Sequence, residues 1–233
     1  RTIEYFSVVQ RSPNAEQRVE CADPKVKAVC VARFDNNQDG ELSYEEIAIV
    51  TDVEGLFEEQ KTIVSFDEFE YFSSVSEIPS SFFEGCKKLT SVKLPESVRE
   101  IGYNAFSGCI SLKSIVIPEG VINYDGYEEY SGSWFGGCSA LESVTLPSTL
   151  KYLPSSGFVG CTSLVEITIP EGVTEIPSSC FAGCSSLTEV NYTTPITSVG
   201  PNAFSGCKAI DEFDFSTLNQ MGHSAFASSG IVS

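Results

Sequence analysis

The chain has 233 residues, 42% of them hydrophobic and 20% charged, with a formal net charge of −18 at pH 7. That apolar share supports a real core and excludes a disordered chain. No run of about 18 apolar residues occurs, which excludes a membrane-spanning helix. The acidic balance (17 acidic and 7 basic residues before Ile78, 15 and 7 from there on) repels phosphate backbones and anionic lipid while favouring cations and basic partners.

The opening Arg1-Thr2-Ile3-Glu4 has no hydrophobic signal core and no starting Met, which is compatible with a leader removed upstream. Residues 1–65 read as an N-terminal segment with a helix-loop-helix over about 24–55. Asp23-Pro24 is a helix start, with Asp as cap and Pro in the first helical position. Val26, Val29, Cys30 and Phe34 then form a helical apolar stripe.

The stretch from Asp35 to Glu46 matches the constrained positions of the twelve-residue EF-hand loop. Asp35, Asn37 and Asp39 would supply side-chain oxygens, and Gly40 the sharp turn. Glu41 would give its backbone carbonyl, Ser43 a water-bridged contact and Glu46 a bidentate carboxylate. Hard oxygen donors in this number suit Ca²⁺, here a structural ion, over Mg²⁺. Ser43 and Glu46 also form a capping-box pattern into the next helix. No second loop of this kind follows. A lone hand without a Met-rich groove reads as a clip and not a sensor.

Residues 66–233 read as a solenoid. Phe66, Phe69, Phe72, Val75 and Ile78 keep a three-residue apolar spacing without the later repeat signals, and 66–77 is expected to cap the first repeat. Repeats follow over 78–220. Six of the nine cysteines (Cys86, Cys109, Cys138, Cys161, Cys184, Cys207) are separated by 23, 29, 23, 23 and 23 residues. Each has a Phe three positions earlier and an aliphatic residue three later. The unit is I-x-x-x-A-F-x-G-C-x-x-L-x-x-V-x-L-P-x-x-V, and its L-x-x-V-x-L stretch has the spacing of a leucine-rich-repeat strand. The fold class expected is an α+β repeat protein, with short parallel strands along one side of the solenoid. Pro95, Pro118, Pro147 and Pro170 stop the strands, and the Gly of each A-F-x-G-C turn frees the backbone.

Rungs about 4.8 Å apart are a poor match to disulfide geometry, so the cysteine column reads as buried thiols. The spacing of Cys21 and Cys30 leaves their pairing open. A truncated last unit, 221–233, ends either as a short closing rung at Ile231 and Val232 or as the cut edge of a longer array.

Two surfaces are candidate ligand sites. Residues flanking the central Val or Ile of each strand are expected to face outward, on the concave side. They form the columns Ser91, Ser114, Ser143, Glu166, Glu189, Glu212 and Lys93, Val116, Thr145, Thr168, Asn191, Asp214. Their acidic end is either a solvated face or a site for a basic segment or cation. The other candidate is the six-residue insertion before Phe135, which holds Tyr124, Tyr127, Tyr130 and Trp134. Such rings carry large contact area, and insertions in repeats often form binding faces. Tyr124 and Trp134 also fit core slots, with Tyr127 and Tyr130 outside. His223, the only histidine, lies in the last irregular unit, so neither a His-based nucleophile nor a zinc site is expected and the chain reads as non-enzymatic.

These motifs resemble the BspA-like leucine-rich-repeat proteins, whose 23-residue unit carries A-F-x-x-C-x-x-L-x-x-I-x-L-P, over roughly Ile78 to Val232. Some members from gut and oral bacteria carry an EF-hand-like segment ahead of the repeats, like Val26 to Val50 here. The resemblance implies an exported bacterial surface protein, in places an adhesin, with a surface protein or glycan as partner; the chain itself is expected to be a monomer. It names no ligand. A spacer or stalk with no ligand of its own is the alternative. The insertion and the Phe213-Asp214-Phe215 stretch, where V-x-L-P is expected, depart from the family pattern.

Overall fold

The structure, a computed structural model, describes residues 17–58, 60–122 and 132–231. Helix α1 spans Pro24–Phe34 and α2 Tyr44–Ala48. Strand β1 (Ser65–Phe66) runs into a 3₁₀ turn at Asp67–Tyr71. The remaining strands are β2 (Glu77–Ile78), β3 (Ser91–Val92), β4 (Glu100–Ile101), β5 (Ser114–Val116), β6 (Ser143–Thr145), β7 (Glu166–Thr168), β8 (Glu175–Ile176), β9 (Glu189–Asn191), β10 (Ser198–Val199) and β11 (Gln220–Met221). All pair in parallel, one repeat on the next, so the chain coils into a solenoid of about six turns behind a small helical segment.

The expected strand side is present as the pairs β1–β3, β5–β6 and β7–β9. Between these pairs the ladder is interrupted: β3 lies beside β5 and β6 beside β7 without strand pairing. A second row, β2–β4 and β8–β10–β11, was not expected. Its strands are the two-residue Glu-Ile starts of the unit and their equivalents, too short to leave a period in the sequence. The third side is the A-F-x-G-C turn, hydrogen-bonded at every junction. Phe106 N–H donates to the Trp134 carbonyl at 2.9 Å, Phe135 to Gly157 at 2.8 Å, Phe158 to Cys180 at 2.9 Å and Phe181 to Ala203 at 2.9 Å. Gly160 sits at φ +72°, a left-handed backbone conformation that Gly adopts without the cost a Cβ would bring.

Stacked Phe rings fill the axis. Phe57, Phe83, Phe106, Phe135, Phe158, Phe181, Phe204 and Phe226 follow one another at centroid separations of 5.1–5.6 Å, nearly parallel. The column thus begins at Phe57, ahead of the expected cap, and the cap's Phe66, Phe69 and Phe72 pack edge-on or stacked beside it. The buried side chains form one cluster from Val19 in the helical segment to Ala225. Ala225 and Phe226 begin the seventh unit as expected; Ile231 is half-buried, and Val232 lies outside the described residues.

The cysteines are free and, Cys21 apart, buried. They are more than apolar fillers. The Cys109 thiol donates to the Phe83 carbonyl at 3.2 Å, Cys138 to Phe106 at 3.1 Å, Cys161 to Phe135 at 3.2 Å, Cys184 to Phe158 at 3.1 Å and Cys207 to Phe181 at 3.0 Å. A small, weakly donating side chain is what this slot requires. Burial pushes the Cys86 thiol up to about 11 and Cys207 up to about 12, so these groups stay protonated and unreactive.

Phe158→Ala removes a ring from mid-column and leaves a void that neighbouring rungs, fixed by their turn bonds, cannot close. Urea unfolding is expected to show a loss of about 3–5 kcal/mol; a loss under about 1 kcal/mol would mean that the column does not hold the array together.

Candidate calcium loop and strand-face surface

The loop is built from its two flanks. Asp23 caps α1, its carboxylate accepting from Lys25 N–H at 2.8 Å and from Val64 N–H, which ties the helix start to the first rung. The helix buries Val26, Cys30 and Phe34, with Phe34 edge-on to Phe72 at 5.8 Å. On the far side Ser43 and Glu46 form the complete capping box of α2, and Tyr44 packs edge-on against Tyr71 at 4.9 Å.

Between the flanks the loop closes on itself. The Asp35 carboxylate accepts from Gln38 N–H (2.7 Å) and Gly40 N–H (2.9 Å). Asn37 Oδ1 accepts from Asp39 N–H at 2.8 Å, and Asp39 Oδ1 from Glu41 N–H at 2.9 Å. Gly40 sits at φ +81°. Glu46 is buried and reaches across the loop. Its Oε1 accepts from Asn36 and Asn37 N–H at 3.0 and 3.2 Å, and its Oε2 from the Ser43 N–H and hydroxyl, both at 2.9 Å. Burial pushes the Glu46 carboxyl up, but these hydrogen bonds outweigh it and hold the group below the usual range. The Glu41 side chain is turned to Lys27 at 2.6 Å, leaving its carbonyl as the predicted ligand atom.

The residues expected as ligands carry only oxygen donors, the kind a hard cation takes. Among the described residues, however, no group of three or more His, Cys, Asp or Glu side chains is gathered to hold a metal ion. Both oxygens of Glu46 serve as acceptors for the loop's own donors.

The loop is also held by a local pairing. Residues 17–19 form an antiparallel bridge to the loop: Arg18 pairs with Ser43, Val19 N–H donates to the Leu42 carbonyl at 2.8 Å and Tyr44 N–H to the Gln17 carbonyl at 3.3 Å. Val19 and Leu42 are buried beneath it. Nothing in the periodicity of this short segment announces the pairing.

Of the surface candidates, Trp134 takes the core slot also expected for it and drops out as a ligand residue. It is fully buried, in the slot that Ala105 fills one rung earlier and Gly157 one rung later. It is not a surface residue for a ligand. Tyr124, Tyr127 and Tyr130 lie outside the described residues.

Glu166, Glu189, Glu212 and Asp214 are exposed on the strand side, with Glu166 and Glu189 paired in register on β7 and β9. The first repeats neutralise their own polar groups: Lys93 pairs with Glu70 at 3.0 Å, and Ser91 hydrogen-bonds Asp67. From β7 onward no Lys or Arg meets these carboxylates among the described residues. Asp214 is held below the usual carboxylate range by the Ser216 hydroxyl and amide. Tyr192 was not anticipated. It takes the Leu slot before the missing Pro, and burial pushes its phenol up.

The family model for the BspA type leucine-rich repeat region matches residues 57–132 and 128–233 in six copies. The chain belongs to this family. Among solved structures it is similar to a leucine-rich repeat protein from Eubacterium ventriosum, with 22% identity and a TM-score of 0.62 over 73% of this chain and 44% of that one. The likeness is one of fold, and the chain spans less than half of that protein's length. A leucine-rich repeat protein of T. pallidum is 29% identical over 63% of this chain and 70% of that one, with a TM-score of 0.49. No curated protein matches the chain. Family membership agrees with a protein-interaction or structural role.

In the presence of a chelator, Glu46→Gln is expected to destabilise the protein by about 1–3 kcal/mol at neutral pH, because a charged acceptor of several loop donors is lost. The folded carboxyl lies below its unfolded value, so its contribution is complete above the ordinary carboxylate range and fades as pH falls through the folded value. Urea titrations should therefore show the difference between wild type and variant shrinking in acid. A difference independent of pH would contradict the assignment.

Proposed function

We propose that this chain is a non-catalytic binding module of an exported bacterial surface protein, which recognises a surface protein or glycan through the strand side, with the N-terminal loop stiffened by Ca²⁺. One observation carries the binding role. Ser143, Thr145, Thr168 and Asn191 line the strand face with side chains that make no hydrogen bond within the described residues. Some other rung hydroxyls are engaged instead: Ser111, Thr162, Thr188 and Thr197 each donate to a carbonyl of the preceding rung. The strand-face groups are therefore available to a partner. Surface location and export follow from what family resemblance implies, and the non-catalytic reading from the interaction scaffolds typical of the family. Capture assays with immobilised matrix proteins and glycan arrays test the role, with Tyr127→Ala and Tyr130→Ala reporting on the insertion. Binding to at least one class is expected; uniform failure would leave a spacer.

The calcium reading rests on ligand order and on the Gly40 turn. Asp35, Asn37, Asp39, the Glu41 carbonyl and Glu46 would hold the ion, with Ser43 through water, and Glu46 would exchange its loop donors for the cation. Titration calorimetry is expected to give a saturable one-site heat for wild type and none for Glu46→Gln. At a Ca²⁺ concentration about a hundredfold above Kd, the ion should add about 2.7 kcal/mol of stability. Flat heats for both proteins would remove the site.

A further inference from the structure

Two grooves open on the strand side at junctions where no strand pairing is made. One, of about 680 Å³, lies between β6 and β7 and is lined by Ser143, Thr145, Glu166 and Thr168. The other, of about 870 Å³, lies between β9 and residues 211–215 and is lined by Glu189, Glu212, Asp214 and Phe215. Asn191 and Tyr192 line both, so the two form one trough across four rungs. We infer that this trough docks a short, extended, basic segment of a partner protein. The inference rests on the binding role proposed above and specifies its ligand.

Charge complementarity decides the occupant. No Lys or Arg lines either groove. Beyond Lys151 the chain has a single further Lys, Lys208, on the turn side, against seven Asp and Glu. Glu166 and Glu189 lie directly side by side in register, an arrangement of like charges that a cationic ligand relieves. At the other end of the array the equivalent surface already carries its countercharge, Lys93 on Glu70.

The floor adds to this. The Tyr192 ring lies beside Phe213 at 6.3 Å, and Phe213 beside Phe215 at 5.4 Å; Phe215 is 43% exposed. Such rings accept a Lys or Arg head over their faces. A neutral glycan would use the hydroxyls and the rings but leave the carboxylate charge unanswered. Four rungs about 4.8 Å apart span about 14 Å, the length of four or five extended residues. The ligand is therefore a short basic stretch and not a whole basic domain.

Fluorescence anisotropy with a labelled oligolysine peptide tests the trough, with an oligoglutamate peptide and a glycan array as comparisons. Wild type should bind oligolysine with an affinity that falls as salt rises. Glu166→Gln/Glu189→Gln should weaken binding roughly tenfold, the size expected from two exposed ion pairs. Glu100→Gln/Glu175→Gln, the same charge change on the other strand row, should leave it within about twofold. Equal loss in both variants would mean a diffuse field and overturn the proposal, as would absence of oligolysine binding or glycan binding that Glu166→Gln/Glu189→Gln abolishes. If matrix proteins are captured equally by wild type and Glu166→Gln/Glu189→Gln, the binding role stands and the trough falls. If wild type captures nothing, the binding role itself has failed.

Discussion

The structure depends on the backbone bonds that join each A-F-x-G-C turn to the next. At one junction Ser156, Phe158 and Gly160 N–H donate to the carbonyls of Ser178, Cys180 and Ala182, at 2.9, 2.9 and 2.7 Å. A buried amide left without a partner costs about 1–3 kcal/mol, so no rung can shift without breaking several bonds at once. The rest of the motif follows from this fixed spacing. The glycine suits the turn because its backbone there sits at positive φ. The Phe rings stack at little more than the rung spacing because their backbones are held there. The thiol then fits the remaining gap, and it donates to a Phe carbonyl that already accepts one N–H, as Phe135 does from Cys138.

Much of this was legible in the sequence because a repeat states its constraints many times. A single Phe or Gly is ambiguous, but Phe83 through Phe204 at one offset from Cys86 through Cys207 fixes which side chains face inward. The second strand row escaped because two residues per rung carry no period. Trp134 was legible in one frame and misleading in another. Aligned on Phe135 it falls in the Ala slot, whereas read with its tyrosine neighbours it looks like a surface anchor. Its complete burial decides for the first, and only register along the solenoid reveals that. Tyr192 was hidden for the opposite reason. It occupies a slot that Ile169 fills with a buried side chain, and it becomes a surface feature because the next rung departs from the V-x-L-P pattern.

The N-terminal loop was clear as a motif but not in its setting. Twelve residues name the ligand order, yet the partners that fix the loop are non-local: the 17–19 bridge, Val64 on Asp23, and Tyr71 against Tyr44. These contacts place the loop within the same core as the first rungs. A solenoid core is open at its ends, and here Phe57, Phe66, Phe69 and Phe72 close one end while α1 and the loop cover them in turn. Tightening the loop through Glu46 therefore acts on the cap and not on a detached tail.

The same division of labour explains where a ligand can sit. The turn side carries the bonds that define every rung and has little freedom to vary its side chains. The strand side is bonded only at alternate junctions, so its stability leans on inward residues such as Ile115, Ile167 and the Leu column, all buried. Outward positions there carry almost no structural duty, and charge can collect on them at little cost in water. That Lys93 and Glu70 pair at one end while Glu166, Glu189 and Glu212 stand without a basic neighbour at the other is thus no consequence of folding. The fold is uniform while the charge along this free face is not, and the two open junctions lie within the acidic half.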